Sequence, residues 1–112
     1  MPVIFQSHAK EVLSAETRAK ARALEIIGGK AEGYAKRLCP VDTGRLRNSI
    51  THQQYDENTE VVGTNVEYAP YVELGHHTSS GSKVEGKPFL RPAAENHAAE
   101  YREIIEAVLS DA

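Results

Sequence analysis

A chain of 112 residues, 40% hydrophobic and 26% charged, with no Trp and only 2 Phe, provides one domain with a small, mainly aliphatic core. Its net charge of -3 is split, with nine Lys/Arg against five Asp/Glu in residues 1–50 (+4) and four against eleven in 51–112 (-7). No run approaches the roughly 18 apolar residues of a membrane span, the lone Cys39 excludes an internal disulfide, and the basic half lacks the Arg/Lys stripe with interleaved aromatics of a nucleic-acid binder.

The charge split fits either two solvated helix faces or a polar subunit that stacks head to tail, basic end on acidic end. A thin core on such a chain points to apolar surface buried against other subunits. "MPVIFQSHAKEV" lacks the basic start of a secretory signal, and a single Cys suits a reducing compartment, so the expected compartment is the cytoplasm.

Residues 7–38 read as a long helix. Leu24, Ile27, Ala31, Tyr34 and Leu38 recur at spacings of three and four. Leu13, Thr17 and Lys20 continue that stripe weakly, which predicts a more exposed first half. Gly28-Gly29 predicts a kink, a break or a close helix contact, because two glycines cost about 1–2 kcal/mol relative to alanines. Pro40 stops the helix.

Residues 40–67 read as a turn and a β-hairpin, with strands at about 47–55 and 59–65 around the turn cluster "DENTE". Residues 68–75, "YAPYVELG", give a short helix with Tyr68, Tyr71, Val72 and Leu74 on its apolar side and Gly75 as its stop. Residues 75–88 form a long polar Gly/Ser loop, expected to be flexible. Residues 89–109 begin extended at "PFLRPA" and run into a last helix from about Pro92, with Ala94, Ala98, Tyr101, Ile105 and Val108 as its stripe. The expected fold is a single α+β domain over residues 1–112, its long N-terminal and C-terminal helices packed on a small antiparallel sheet.

Asp42-Thr43-Gly44 is the tripeptide of aspartic proteases, whose paired carboxylates share one proton. Here Arg45 and Arg47 follow it, and two cations would favour ionising both aspartates. A long helix also stands where a protease subunit is almost all β. The better reading is structural: Asp42 and Thr43 as helix-cap residues and Gly44 as the corner before a turn of helix, "GRLRNS". His76-His77, with His52 or His97, make a weak metal candidate without a carboxylate or thiol at ligand spacing. Cys39 before Pro40 reads as a packed helix end rather than a nucleophile. Gly81 and Gly86 lack the Gly-Lys-Ser/Thr of a phosphate loop. No catalytic, cofactor-binding or metal-ligating set emerges, and the expectation is a protein without enzymatic activity.

Three motifs in order, Pro-Val-Asp-Thr-Gly-x-Leu (40–46), Tyr-Ala-x-Tyr-Val-Glu-x-Gly (68–75) and Pro-Phe-Leu-Arg-Pro-Ala (88–93), carry a resemblance. From about Gly33 to Val108 the chain resembles a family of long-tailed double-stranded DNA phage proteins of the head–tail joining module, known as tail-component, neck, tail-completion or minor capsid proteins. "LGHH" stands where many members have Phe-Gly-Thr. The resemblance implies a virion structural protein, assembled in the host cytoplasm, that forms a homo-oligomeric ring, often six-fold. It further implies contacts with a head-closure or connector protein and a tail-tube or terminator protein. DNA would pass through the ring without sequence-specific binding, and neither a cofactor nor a membrane is implied. The candidate interface is the loop 75–88, with His76, His77, Lys83 and Lys87, together with Arg45 and Arg47.

Overall fold

The computed structural model describes residues 2–6, 14–41 and 44–110. Its spine is α1 (Ser14–Leu38), 25 residues and about 37 Å at 1.5 Å per residue. The predicted start at residue 7 lies outside the described residues. Its buried stripe runs Ala19, Ala23, Leu24, Ile27, Ala31 and Ala35, spaced three and four apart as a single helix face requires. Ala19, Lys20 and Ala23 are all buried, so this stretch is not the more exposed one expected. Small alanines let the sheet approach closely, and Lys20 reaches Asn58 Oδ1 in the β2–β3 turn.

Three antiparallel strands cover that face in the order β1–β3–β2: β1 (Val3–Gln6), β2 (Thr51–Asp56) and β3 (Thr59–Gly63). β1 was not foreseen. It pairs in the register Val3↔Val62 to Gln6↔Thr59, while β2 pairs Thr51↔Gly63 and His52↔Val62 and shifts register between Gln54 and Asp56. Period-2 alternation puts Glu60 and Val62 inward, each 1% exposed, and Val61 outward. The first predicted strand began too early. Arg45–Ser49 is the short helix α2, which buries Leu46 and delivers Ile50 to the core.

α1 runs unbroken through Gly28-Gly29, and the close contact there is with the sheet rather than with another helix. A Cβ on Gly28 would stand 2.6 Å from His52 Nδ1 and 2.8 Å from Glu60 Cγ, with Glu60 Oε2 closer still. The glycine therefore admits the buried Glu60 and its half-buried partner His52, joined Nδ1 to Oε2 at 2.7 Å beneath the helix.

On another side of α1 lie α4 (Leu90–Glu95) and α5 (Ala98–Ser110). The expected single helix from Pro92 starts two residues earlier and is interrupted at Asn96-His97. Pro92 is tolerated because it sits in the first turn of α4. At the interruption the His97 ring stacks on Tyr34 at 3.6 Å, and Tyr34 donates a 2.5 Å hydrogen bond to Glu100. Tyr101 is buried and donates to the Ala93 carbonyl. The core joins Ile27, Ile50, Val62, Phe89, Leu90 and Ala93 between these layers.

Candidate assembly interface

Past Leu38 the chain builds a separate surface. Cys39 closes the last turn of α1 through its N–H to the Ala35 carbonyl at 2.9 Å. Burial pushes the Cys39 thiol up, an effect partly opposed by the Arg47 charge. That direction is opposite to the one that activates a cysteine nucleophile.

Asp42 and Thr43 lie outside the described residues. The residue at the cap position of α2 is Gly44, which is left-handed (φ 85°, ψ -5°) and makes no side-chain capping bond. Its carbonyl accepts from Asn48 N–H at 2.9 Å. The corner thus depends on a conformation that glycine alone adopts cheaply.

Arg45 is occupied within the chain. Its Nη1 and Nη2 donate to the two Glu67 oxygens at 3.2 and 3.0 Å, and the guanidinium stands 5.4 Å from the centre of the Tyr68 ring. This fork raises the Arg45 pKa and holds the Glu67 carboxyl below its usual range. Arg47 is exposed and makes no ion pair among the described residues.

The next element is α3 (Ala69–Leu74), followed directly by a two-stranded hairpin, β4 (Gly75–His77) and β5 (Lys83–Glu85). The stretch read as a loop is therefore paired: His76 faces Val84 and His77 faces Lys83. Gly75 has φ 82°, and a Cβ there would stand 2.5 Å from the Val84 carbonyl oxygen. A Cβ on Gly86 would meet the Glu73 carbonyl oxygen at 2.7 Å. Backbone crosses backbone here, and the Lys87 N–H bonds the Val72 carbonyl at 2.7 Å.

The buried side of α3 is Ala69 and Glu73 rather than the predicted tyrosine and leucine face. Glu73 turns into the protein, where Oε1 accepts from Phe89 N–H at 3.1 Å and Leu90 N–H at 2.9 Å, and Oε2 from Arg91 N–H at 3.3 Å. A carboxylate at the start of α4 satisfies donors that the helix leaves free. It also ties α3 to α4. Tyr71 and Leu74 are turned out, 60% and 70% exposed, as are Val41 at 56% and Val84 at 41%.

Between α3 and the hairpin runs a groove of about 610 Å³, lined by Pro40, Tyr68, Tyr71, Val72, His76 and Val84 among others. A second hollow of about 520 Å³ shares Pro40, Tyr68 and Val72 with it and extends past Val41 to Arg45. Of the predicted interface residues, His76, His77 and Lys87 line this groove, and Lys83 lies on the same hairpin, 3.5 Å from Glu85. His76 meets the Tyr71 ring edge-on at 5.8 Å. The four histidines considered for a metal are dispersed. His52 is held by Glu60, His97 stacks on Tyr34, and only His76 and His77 share an element. Among the described residues no helix is long and apolar enough to cross a membrane.

Sequence reasoning missed Tyr71 and Val84 as surface groups. The signal was available for Tyr71: in a helix of six residues, one side must be outside, and Glu73 took the inside.

Among the exposed apolar residues of this α+β subunit, Tyr71 and Val84 line the groove, and Val41 lines the hollow beside it. The chain belongs to the phage family described as "Bacteriophage HK97-gp10, putative tail-component", which it matches over residues 5–75. It is therefore a structural component related to phage tails. The match spans α1, α2, the three-stranded sheet and α3, and ends where the hairpin begins. No curated protein and no solved structure matches the chain.

Proposed function

We propose that the chain is a virion protein of the head–tail interface, a neck or tail-completion ring subunit that helps join head to tail around a channel for DNA. Family membership supports the phage tail role. The observation that carries the finer reading is the groove, where Tyr71 and Val84 stay exposed beside Lys87, with exposed Val41 in the adjoining hollow. Such a surface gains free energy when another protein covers it, at about 25 cal/mol per Å² of apolar area.

On this reading the subunit has no catalytic activity, and its neighbours are further copies of itself, a head-closure or connector protein, and a tail-tube or terminator protein. It acts in the virion after assembling in the host cytoplasm. The tail-terminator position is the second reading, since rings with different neighbours can share one fold. Deleting the gene should leave filled heads and separate tails in lysates seen by electron microscopy, with joining restored by the purified chain. Normal virions from the deletion would refute the proposal. Tails of uncontrolled length would favour the terminator position.

A further inference from the structure

The two edges of the three-stranded sheet differ. β1 lies against α4 and follows Pro2, which has no N–H to offer a further strand. β2 has β3 on one side and α1 over one face. On its other side alternate residues must turn their N–H and C=O groups away from β3. Among the described residues no backbone–backbone hydrogen bond answers them. Thr51 and residues 53–56 are exposed. The strand carries neither Pro nor Lys, two residues that keep an edge from pairing, and its register shift stands at the far end, between Gln54 and Asp56.

A hollow of about 700 Å³ runs along this strand. Every residue from Thr51 to Tyr55 lines it, together with Ser49, Thr64 and Asn65 beside the strand's start. Successive strand residues point to opposite faces, so a hollow that touches five in a row reaches round the free edge. Tyr55, near the other end of the strand, is 70% exposed. One end of β2 presents an aromatic ring and the other an open space. The acids also gather at one end, since Asp56 and Glu57 follow Tyr55 while Thr51 to Gln54 carry no carboxylate. Two copies of the strand laid parallel would set acid beside acid, whereas antiparallel copies hold them ~20 Å apart.

We propose that β2 pairs antiparallel with β2 of a second copy, with Gln53 opposite Gln53. That register sets Thr51 opposite Tyr55 twice and joins the two three-stranded sheets into one. Each Tyr55 ring enters the Thr51 end of the other copy's hollow. An aromatic ring opposite a β-branched residue is a favourable cross-strand pair. The occupant is a second copy because ring, hollow and acids are complementary under reversal of this one strand. The contact is isologous and closes at two copies, so it goes beyond the ring reading and does not depend on it. β2 lines no part of the groove beside α3, which stays open to other partners. Two tyrosines and one strand pair bury less than the roughly 1,200 Å² of a stable interface. The pairing is therefore weak, with Kd on the order of 0.1 mM.

The test places charge at the two-fold centre of the pair, in the full chain. Q53K and Q53E each set like charges opposite one another. Each should weaken self-association about fivefold or more in sedimentation equilibrium at up to about 1 mM chain. An equimolar mixture of the two variants should restore it. Gln53 is exposed, so circular dichroism should be unchanged. Tyr55→Ser should weaken pairing without any change of charge, and amide exchange at alternate residues of wild-type β2 should slow as concentration rises. Variants that associate as well as the wild type overturn this surface and leave the ring reading standing. Losses in both variants that mixing does not restore overturn the pairing. A wild-type chain that shows no pairing at any concentration overturns it too, and leaves the edge to an extended segment of another protein. The ring reading stands or falls separately, on head–tail joining.

Discussion

Gly28 and Gly29 are neighbours in the middle of α1, and alanine should act on them with opposite sign. In an exposed helix interior Gly→Ala stabilises by about 1 kcal/mol, through the entropy of the unfolded chain. Gly29 meets that condition, since a Cβ there would come no nearer than 3.9 Å to His52 Nε2. At Gly28 the new methyl would lie 2.6 Å from His52 Nδ1 and 2.8 Å from Glu60 Cγ. Glu60 is 1% exposed and cannot swing into water, so the methyl must push His52 off its 2.7 Å contact. A hydrogen bond to a charged group contributes about 1.5–3 kcal/mol. Subtracting the helix gain leaves Gly28→Ala destabilised by about 0.5–2 kcal/mol. Urea unfolding followed by circular dichroism would measure both variants. If Gly28→Ala proves as stable as Gly29→Ala, the buried pair is not seated under the helix as described.

Removing the Glu73 carboxylate leaves three backbone donors at the start of α4 without their acceptor, so Glu73→Ala should cost about 2–4 kcal/mol by the same unfolding assay. Glu73→Gln keeps one acceptor and should cost less. Gly44→Ala forces a side chain into φ 85° and should lose about 1–2 kcal/mol. Burial pushes the Tyr101 phenol up to about 12 from 10.0. The unfolded chain therefore ionises first, and Tyr101 contributes stability that is full below pH 10 and lost as pH rises toward about 12. Tyr101→Phe should flatten that alkaline fall and, by deleting the bond to Ala93, cost about 1 kcal/mol at neutral pH.

The parts of the fold legible in the sequence are those whose partners are local. Leu24, Ile27 and Ala31 announce the buried face of α1 by spacing alone, and all three are buried. The turn cluster at Asp56–Thr59 announces β2 and β3, which pair across it. β1 was missed because four residues carry little alternation and its partner, β3, lies more than fifty residues away in sequence. The β4–β5 hairpin was read as loop for a different reason. Its strands are three residues each and exposed at nearly every position, so no hydrophobic period marks them. Such a short hairpin is marginal in water, and here it is held by crossing backbone at Gly75 and Gly86.

The residues of the candidate interface are legible in the sequence, but their surroundings are not. His76, His77 and Lys87 line the groove, and Arg45 lines the hollow beside it. Yet Arg45, chosen for its charge, is occupied by Glu67, whereas Tyr71, taken for a stripe residue, is mostly exposed. Both placements have one cause. A sequence displays charge and apolarity but hides which of each the fold consumes internally.

The same point decides what the charge polarity of the chain means. Residues 51–112 carry eleven acids against four cations, which suggests a broadly negative end. The fold engages many of those acids within the chain without cancelling the excess. Glu60 and Glu73 are buried, and Glu67, Glu85, Glu95 and Glu100 are each engaged by a partner in the same chain. Asp56 accepts from the Asn58 N–H. Glu57, Glu103 and Glu106 remain among the described residues, two of them on one face of α5. Long-range attraction between exposed charges fades over about 8–10 Å at ordinary salt. A diffuse surplus would therefore orient subunits weakly, whereas two carboxylates within one helical turn can fix the register of a contact. The head-to-tail polarity suggested by the sequence is for this reason best sought in local clusters of exposed charge rather than in the net charge of each half.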